Sequence, residues 1–450
     1  MQQKIEGLFK KKVEVRFTEE NTSSDGGLLL LKQFLDRLKI VKGMKKVLYD
    51  TRNQDFIQHA FEDLLSQRLY QLMAGYEDLN DADSLKNDPL FQLLVKNEEI
   101  DKADKALASS PTLCRLEKRV TFREIEKLAE LQVDLYLQRN RKRWKKAIKK
   151  KNLIIRLDLD PTDIATHGEQ QLSLFNGYYG HRCYLPMILA DGDNGDLITA
   201  FLRPGTKHAK FLLVYILKRL FAKIETLYPF VCFELRADSG FQCSELFEFL
   251  DGKSNVSYTV ALMSNAALDK GLKAEVDVFE QKRQAAVEQK LSFEDQKVWG
   301  EFGYKADSWR SFRRVVYQID VNSHRVDLRY YVSNDLEKTP QQIKENYNQR
   351  ANIENRIKEL KTQAGAKRLS CESFAANSFR FQLACFSLIV FQEMKKKLQG
   401  TELEASYIES LRLKLLKVAV RMEESTRRIL LFLPKSYPYQ NIWNQLLAPG

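Results

Sequence analysis

The chain has 450 residues, which is enough for two or three domains that each bury a core. A hydrophobic fraction of 44% and a charged fraction of 29% are ordinary for a folded soluble protein. The 72 lysines and arginines exceed the 60 acidic residues and give a net charge of +12, which favours a polyanionic partner, nucleic acid ahead of an acidic membrane surface.

Secretion, membrane insertion and zinc binding have no support in the sequence. Residues 1–17 contain no apolar segment of signal-peptide length. The most apolar stretch, Phe381 to Phe391, is shorter than the roughly 20 residues that cross a bilayer. The six cysteines show neither CxxC pairs nor Cys/His ligand spacing, and we interpret them as reduced core thiols. We therefore expect a cytoplasmic protein without a structural zinc site.

Residues 1–150 are predicted to be mostly helical. Thr121 to Glu124 form a capping box, and the apolar residues after it recur at helical spacing. This helix runs into residues 139–151, which include nine basic and no acidic side chains. The cations suit the negative end of the helix dipole, and they are equally placed to contact DNA phosphates, with Trp144 available to pack or to stack. The candidate phosphate contacts are Arg141, Arg143 and Lys145.

Residues 151–263 show strand patterns that give way to alternating helices and strands. The strands are predicted at residues 153–160, 182–190, 196–203, 230–237 and 257–263. The helices are predicted at about residues 208–227 and 243–250. Three linked strands, a helical crossover and further strands alternating with helices are the layout of a ribonuclease-H-like α/β domain. That layout places the first strand beside the fourth.

Residues 264–338 are predicted to interrupt this domain as a mostly β insertion. The insertion has a charged helical stretch near residues 268–291, followed by strand-like runs at residues 298–304, 312–319 and 326–333. Residues 339–398 return to helix, with Pro340 in the first turn, and complete the α/β domain. Residues 399–450 are predicted to form a helical C-terminal region.

Two aspartates stand at the ends of predicted strands. Asp160 ends the first strand, and Asp238 ends the fourth within the sequence Arg236-Ala-Asp-Ser-Gly-Phe241. If these strands are neighbours, both carboxylates lie at their carboxyl ends, where α/β sheets bind ligands. Carboxylates of this kind hold the two Mg²⁺ ions of phosphodiester cleavage, about 4 Å apart. Either aspartate could instead cap the turn that follows it.

A third acid lies on the helix predicted from Thr339. At about 100° per residue, Tyr347, Arg350, Glu354 and Lys361 fall within about 60° of one another on one helix face. An apolar stripe runs beside this face, so the helix packs by one edge and presents a tyrosine, an acid and two cations along the next. The competing interpretation is a surface helix whose charge pairs contribute little stability.

The spacing Tyr347-(2)-Arg350-(3)-Glu354-(6)-Lys361 resembles the YREK signature of bacterial insertion-sequence transposases with a DDE catalytic domain. The sequences around Asp160 and Asp238 resemble those of the family's first two aspartates. Further stretches that resemble a sub-family of these transposases are Gly75–Asn80, Gly168–Gln171, Phe175–Tyr179 and Leu369–Asn377. The resemblance extends from about residue 20 to the C-terminus.

The resemblance implies an enzyme of the bacterial cytoplasm and nucleoid that cuts and rejoins DNA. Asp160, Asp238 and Glu354 would be catalytic and would hold two Mg²⁺ ions per active site, with Mn²⁺ as a substitute. Tyr347, Arg350 and Lys361 would hold DNA phosphates at the cleavage site.

The resemblance also implies a division of labour along the chain. Residues 1–150 would bind the terminal inverted repeats of double-stranded transposon DNA. The insertion would support a hairpin on the transposon end, with Trp299 or Trp309 inserted, although core packing is the more common role of such tryptophans. The enzyme would work as a homodimer on DNA, without a membrane.

Three questions stay open at this point. Asp158 shares a strand face with Asp160 by alternation and is the alternative first metal ligand. A ribonuclease-H-like nuclease that cleaves without strand transfer would keep the fold, although the YREK helix and the long insertion argue against it. A transposase-derived DNA-binding regulator would be marked by the loss of a carboxylate, and all three carboxylates are present.

Overall fold

The computed structural model describes residues 3–5, 13–15, 20–96, 106–206, 211–289, 295–425 and 427–448. These residues divide into two compact units, the first made of residues 1–124, 362–368 and 386–450, and the second of residues 125–361 and 369–385. The first boundary between the units lies between residues 124 and 125, whereas the sequence predicts it at residue 150, which is the end of a helix. This difference arises because one helix is continuous from Phe122 to Lys150, and most of it belongs to the second unit.

The elements of the described residues are numbered in chain order. The helices are α1 (Leu28–Arg37), α2 (Ile40–Val47), α3 (Phe61–Ala74), α4 (Asp81–Leu85), α5 (Pro89–Lys96), α6 (Ser110–Lys118), α7 (Phe122–Lys150), α8 (Leu213–Leu227), α9 (Ser244–Asp251), α10 (Ala266–Glu288), α11 (Pro340–Asn348), α12 (Asn352–Thr362), α13 (Phe374–Lys397), α14 (Ile408–Leu411) and α15 (Gln440–Leu447). The strands are β1 (Gln3–Ile5), β2 (Val13–Val15), β3 (Thr22–Ser23), β4 (Ile154–Pro161), β5 (Ile164–Ala165), β6 (Leu174–Asn176), β7 (His181–Tyr184), β8 (Met187–Asp191), β9 (Leu197–Phe201), β10 (Cys232–Ala237), β11 (Val256–Leu262), β12 (Gln296–Tyr304), β13 (Arg313–Val321), β14 (Val326–Ser333), β15 (Val420–Ser425) and β16 (Arg428–Phe432).

The first unit is mostly helical, and its C-terminal part is less so than expected. Residues 399–450 were predicted to be helical, but β15 and β16 form an antiparallel hairpin that pairs with β3. The physical reason is a two-residue period, because Val420 and Met422 are buried while Glu423 is exposed. The hairpin therefore buries one face only.

The stretch Gly75–Asn80 closes a helix of the first unit. Gly75 ends α3 with a φ of +92°, a left-handed conformation that glycine adopts without strain. The buried side chain of Arg68 donates to the Glu77 carbonyl oxygen at 2.8 Å and to Glu117 at 2.9 Å. This stretch, which the sequence singled out by resemblance, is held by a buried charge pair.

The second unit contains an eight-stranded mixed sheet in the order β12-β13-β14-β11-β10-β4-β8-β9. The first predicted strand, β4, lies beside the fourth, β10, and the two are parallel, as expected. The connection from β9 to β10 passes through helix α8, which packs against the sheet by its apolar face. The predicted start of this helix, residues 208–210, lies outside the described residues.

The strand predicted at residues 182–190 is split in two. Residues 181–184 form β7 of a separate three-stranded sheet in the order β5-β7-β6, and residues 187–191 form β8 of the large sheet. Pro186 lies between them and has no N–H to donate to a ladder, so the strand ends there. The small sheet starts beside the end of β4.

The predicted insertion does not form a sheet of its own. Strands β12, β13 and β14 continue the large sheet in antiparallel pairs beyond β11. The segment also contains α10, a helix of 23 residues, so it is less β-rich than the sequence suggested. Trp309 is buried in this segment, where its ring packs edge-on against Phe247 at a centroid distance of 5.3 Å.

The helix predicted from residue 339 past residue 361 is interrupted. Helix α11 begins with a capping box at Thr339, a 3₁₀ turn occupies Gln349–Ala351, and α12 follows. Asn348 and Asn352 flank this turn, and asparagine favours turns because its side chain competes for backbone hydrogen bonds. A single ideal helix therefore does not describe the geometry from Tyr347 to Lys361.

Helix α13 spans Phe374–Lys397, within the range predicted to be helical, and is much longer than the apolar run Phe381 to Phe391. Among the described residues it alone has the length and apolar composition of a membrane span, and 94% of that window is buried inside the protein. The cysteine prediction holds only in part. Cys183, Cys371 and Cys385 are buried, but Cys232 at the start of β10 is exposed.

Candidate active site

The carboxyl ends of β4 and β10 bring the two predicted aspartates together. Leu159 pairs with Ala237, the last residue of β10. Asp160 on β4 and Asp238, which follows β10, are the next residues along two strands that lie about 4.8 Å apart. Asp160 is buried, whereas Asp238 is partly exposed at the edge of the sheet. The Asp238 carboxylate also accepts from the backbone N–H of Gly240 at 2.8 Å, so it caps the following turn as well.

Asp158, the alternative ligand, is bound by an arginine that compensates its charge. The buried guanidinium of Arg236 donates to both of its carboxylate oxygens, at 2.6 and 2.9 Å, and also to the backbone carbonyl of Asn346 at 2.7 Å. This pairing favours Asp160 over Asp158 as the carboxylate that can hold a metal ion. Sequence reasoning missed the role of Arg236, although register could have found it, because Asp158 and Arg236 each lie two residues before the site aspartates.

Arg350 reaches from the 3₁₀ turn to the same strand end. Its guanidinium lies 2.8 Å from the Asp160 carboxylate and 3.4 Å from the Leu159 carbonyl oxygen. The Arg350 Nε is buried and makes no hydrogen bond within the described residues. Arg350 is therefore directed into the carboxylate site and is not a surface partner of the helix.

The carboxylates influence one another. Burial, together with the negative charges of Asp238 and Glu354, raises the pKa of Asp160 to about 7 even though Arg350 opposes the shift. Burial also raises the pKa of Asp238. Glu354 is exposed at the start of α12, close enough for its charge to act on Asp160. Asp238 and Glu354 thus both act on the pKa of Asp160.

Tyr347 and Lys361 complete the contacts of this helix pair with the sheet end. The Tyr347 hydroxyl donates to the Ala237 carbonyl oxygen at 3.3 Å, and its ring lies 4.8 Å from that of Tyr331. Lys361 donates to Asp163 at 2.9 Å and to the Thr162 hydroxyl at 3.2 Å. Despite the interrupted helix, Tyr347, Arg350 and Lys361 all contact the ends of β4 or β10.

A histidine that the sequence reasoning did not assign to the site lies beside it. His181 Nε2 lies 2.9 Å from the Asp163 carboxylate, on the opposite side from Lys361. Burial opposes ionisation of Asp163, but these two partners outweigh it and lower the pKa of Asp163. Asp163 is therefore held as an anion by its neighbours.

The donor set is chemically suited to a hard divalent cation. Mg²⁺ and Mn²⁺ prefer carboxylate oxygens, and Asp160 and Asp238 place two carboxylates at neighbouring strand ends. Within the described part of the chain, no three His, Cys, Asp or Glu side chains are close enough together to form a ready-made metal site. The guanidinium of Arg350 is the cation that lies against Asp160 here. The two aspartates therefore fit a hard divalent cation in type.

The basic segment at the end of α7 is partly used within the protein. Trp144 is buried and packs edge-on against Tyr136 at 5.3 Å, so it is a core residue and not a stacking platform. Arg143 forms an ion pair with Asp191. Arg141 and Lys145 are exposed. The prediction that Arg141, Arg143 and Lys145 contact DNA stays a prediction, with Arg143 the least available of the three.

Two of the stretches singled out by resemblance hold each other. The Gln171 N–H donates to the Glu372 carbonyl at 2.8 Å, and the Gln170 side chain donates to the Leu369 carbonyl at 2.7 Å. The buried Asn377 side chain closes the second stretch through the backbone of Cys371. Their role in the structure is to join the segment after β5 to the start of α13.

Comparison with known proteins gives one informative result. The family model described as "Transposase DDE domain group 1" matches residues 5–449. No curated protein matches the chain. Among solved structures, a cryo-EM structure of a piggyBac transposase synaptic complex with hairpin DNA has 14% sequence identity and a TM-score of 0.40, and the alignment covers 94% of this chain and 86% of that chain. At that TM-score the similarity does not establish a shared fold or a shared function.

Proposed function

The chain belongs to the DDE transposase family, group 1, and we propose that Asp160, Asp238 and Glu354 are the ligands of its catalytic metal ions. The observation that carries the proposal is the register of β4 and β10, which places Asp160 and Asp238 at adjacent strand ends, with Arg350 of the YREK pattern 2.8 Å from Asp160. As a DDE transposase, the protein is an enzyme that acts on DNA. The finer features below are proposals for this chain.

The second unit is proposed to have a ribonuclease-H-like fold. Its support is the order β11-β10-β4-β8-β9, in which β10 and β11 run parallel to β4 while β8 and β9 form an antiparallel hairpin beside it. This order follows from a hairpin, a helical crossover through α8 and a second parallel strand. The strand ends that carry Asp160 and Asp238 are then neighbours by topology.

The reaction is proposed to be strand cleavage followed by strand transfer. In cleavage, water bonds to phosphorus, the bond to the 3′ oxygen breaks and a free 3′ hydroxyl is left. In transfer, that hydroxyl bonds to the phosphorus of a target phosphodiester, and the bond from this phosphorus to the target's own 3′ oxygen breaks and leaves a 3′ hydroxyl on the target strand. Two Mg²⁺ ions, or Mn²⁺ ions in their place, would make the attacking hydroxyl more acidic and neutralise the leaving oxygen. The protein contributes the carboxylates and the cations that position the DNA strand.

Arg350 is proposed to bind the DNA phosphate beside the scissile bond. It is buried against Asp160, and its planar guanidinium can bind a phosphate through two parallel hydrogen bonds. Lys361 is proposed to bind a neighbouring phosphate, and its ammonium group donates to Asp163. Tyr347 is proposed to position Arg350, because its ring lies under the guanidinium at 5.8 Å and its hydroxyl is directed to Ala237.

The remaining parts of the chain are proposed to handle the DNA ends. Residues 1–150 would bind the terminal inverted repeats, and two copies would join two ends as a homodimer in the bacterial cytoplasm. Excision through hairpin ends would use the segment of β12 to β14. Trp299 on β12 is partly exposed, whereas Trp309 is buried in the core, so Trp299 is the better candidate for insertion into DNA.

An in vitro excision assay tests this function. The full-length protein is incubated with DNA that carries the inverted repeats flanking its gene, in Mg²⁺ or in EDTA. In Mg²⁺ we expect cleaved ends with 3′ hydroxyls and, when a target plasmid is added, joined products. In EDTA we expect neither product. Cleavage without joined products would indicate a nuclease, and cleavage in EDTA would contradict the metal proposal.

A further inference from the structure

Two aromatic rings project from a small hairpin that the catalytic proposal does not use. We call residues 174–184, which comprise β6, a turn and β7, the aromatic hairpin. Tyr178 in its turn is 90% exposed, and Phe175 on β6 is 61% exposed. These values are among the highest for large apolar side chains in the described residues, so the rings are available for an external partner.

The turn of the aromatic hairpin is held rigidly. The Asn176 side chain accepts from the backbone N–H groups of Tyr178 and Tyr179, at 3.0 and 3.3 Å, and donates to the Gly205 carbonyl at 2.9 Å. Gly180 has a φ of +71°, which closes the turn, and its N–H donates to Asn176. A preordered turn loses little entropy when its exposed ring binds a partner.

The aromatic hairpin lies next to the carboxylate site. His181 at the start of β7 contacts Asp163, which is three residues after Asp160 and is paired with Lys361. The Tyr179 ring lies 6.2 Å from that of His181 and 4.9 Å, edge-on, from that of Tyr178. The charges of Asp163, Asp238 and Asp160 also act on Tyr179. Tyr178 is thus connected to Asp163 through the rings of Tyr179 and His181.

A basic side chain accompanies the rings. Arg182 is exposed and pairs with Phe175 across the two strands, so both side chains lie on one face of the hairpin. Exposed aromatic rings beside cations are the surface on which single-stranded or unpaired bases stack while phosphates are neutralised.

We propose that Tyr178 and Phe175 of the aromatic hairpin stack on DNA bases beside the scissile phosphodiester. This inference rests on the proposed function, because the bases in question flank the bond that Asp160, Asp238 and Glu354 would cleave. It adds a base-contacting element on β6 and β7, separate from the segment of β12 to β14.

The size of the surface favours a base over a protein partner. Two aromatic side chains bury about 150 to 250 Å² each, whereas a stable protein interface needs about 800 Å² from each partner. Gly177 and Gly180 flank Tyr178 and add no side chain to such an interface. The turn that carries Tyr178 is therefore narrow, and the area that its ring can cover is close to that of one base.

Fluorescence of 2-aminopurine tests the stacking directly. The probe is a duplex that carries the inverted repeat next to the gene, with 2-aminopurine at the first base on each side of the cleavage junction. The full-length protein is added in Ca²⁺, and the single-turnover cleavage rate is measured separately in Mg²⁺. We expect the wild-type protein to quench the fluorescence, because stacking on an aromatic ring promotes non-radiative decay of excited 2-aminopurine.

We expect Tyr178→Ala and Phe175→Ala to lose most of this quenching and to cleave about tenfold more slowly, in line with the contribution of one stacked base. Tyr178→Trp should restore both. The matched control is Tyr215→Ala, which removes a 44% exposed tyrosine of α8 whose contacts are Glu126 and Arg219. It should change neither quantity. Because the rings are exposed, the alanine variants should keep the thermal midpoint of the wild type.

Unchanged quenching and unchanged cleavage in both alanine variants would overturn the inference. A loss of self-association in the DNA-free Tyr178→Ala protein, seen by sedimentation, would also overturn it and assign the tip to a protein interface. Quenching does not require cleavage. A wild-type protein that quenches in a Tyr178-dependent manner but never cleaves in Mg²⁺ would therefore refute the proposed function and leave the stacking supported.

Discussion

Asp160 is the residue at which stability and proposed function oppose each other. Burial and the charges of Asp238 and Glu354 raise its pKa to about 7, and the Arg350 guanidinium at 2.8 Å offsets this only in part. An unfolded aspartate has a pKa of about 3.9. The folded chain therefore binds a proton at Asp160 more tightly than the unfolded chain, and stability from this residue is lost as the pH rises from about 4 through about 7.

Replacement of Asp160 should stabilise the metal-free protein. Asparagine cannot ionise, so we expect Asp160→Asn to raise the thermal midpoint by a few degrees at pH 8 in EDTA. The gain should shrink as the pH falls toward 5. Differential scanning calorimetry at both pH values measures it.

Asp163→Asn is the matched control for this prediction. Lys361 and His181 lower the pKa of Asp163 against the effect of burial, so its stability contribution is present above about pH 4 and is lost as the pH falls through the lowered pKa. Asp163→Asn should therefore lower the thermal midpoint at pH 8. If Asp160→Asn is also less stable than the wild type under these conditions, the ionised Asp160 carboxylate does not destabilise the folded protein.

Arg350 should matter for cleavage more than for DNA binding. If it binds the phosphate beside the scissile bond, Arg350→Ala should slow single-turnover cleavage of pre-bound ends by about a hundredfold or more, while end binding changes by less than about threefold. Arg350→Lys should fall between, because a lysine keeps the charge but loses the planar fork. An unchanged rate for Arg350→Ala would remove Arg350 from the site.

At the scale of elements, periodicity predicts where a single strand or helix lies but not the side-chain contacts between two elements. The alternating pattern of residues 153–160 and the buried run at 230–237 predict β4 and β10, and their adjacency follows from topology. The ion pair of Asp158 with Arg236 was missed, although it follows from the register of the two strands once Asp160 and Asp238 are placed side by side. The 3₁₀ turn at Gln349–Ala351 was missed, because no proline or glycine marks it.

The Asp158–Arg236 pair should be needed for the β4–β10 contact. Arg236→Met leaves a buried carboxylate without its partner, and we expect a loss of about 3 to 5 kcal/mol of unfolding free energy. The double variant Asp158→Leu with Arg236→Met should recover much of it, because no charge is then buried unpaired. Urea unfolding of the wild type, Arg236→Met, Asp158→Leu and the double variant completes the cycle.

The exposed pair Arg325–Asp327 provides the comparison. Its side chains are 70% and 29% exposed, so Arg325→Met should cost less than about 1 kcal/mol. A loss for Arg236→Met as small as that for Arg325→Met would show that the buried pair does not hold the two strands together.

At the scale of the whole molecule, the candidate site is assembled from three distant segments. Asp160 lies at the end of β4, Asp238 follows β10, and Glu354 lies on α12 beyond the segment of α10 and β12 to β14. Strand-end positions predicted the aspartates, whereas Glu354 was found through the spacing of the YREK pattern. His181 and Tyr179 were not assigned, because they reach the site through a small sheet that Pro186 separates from the large one.

Metal rescue of cysteine variants tests the central claim most directly. Asp160→Cys, Asp238→Cys and Glu354→Cys each replace a hard oxygen ligand by a soft sulfur, which binds Mg²⁺ poorly and accepts Mn²⁺ or Zn²⁺ more readily. Single-turnover cleavage of pre-bound ends is measured with each ion. Asp163→Cys serves as the matched control, because this nearby carboxylate is bound by Lys361 and His181.

We expect all three ligand variants to bind ends normally, to be inactive in Mg²⁺ and to regain cleavage when Mn²⁺ or Zn²⁺ is supplied, whereas Asp163→Cys should show no such switch in metal preference. Wild-type cleavage rates in Mg²⁺ for any of the three variants would contradict the claim that its carboxylate holds a catalytic metal ion.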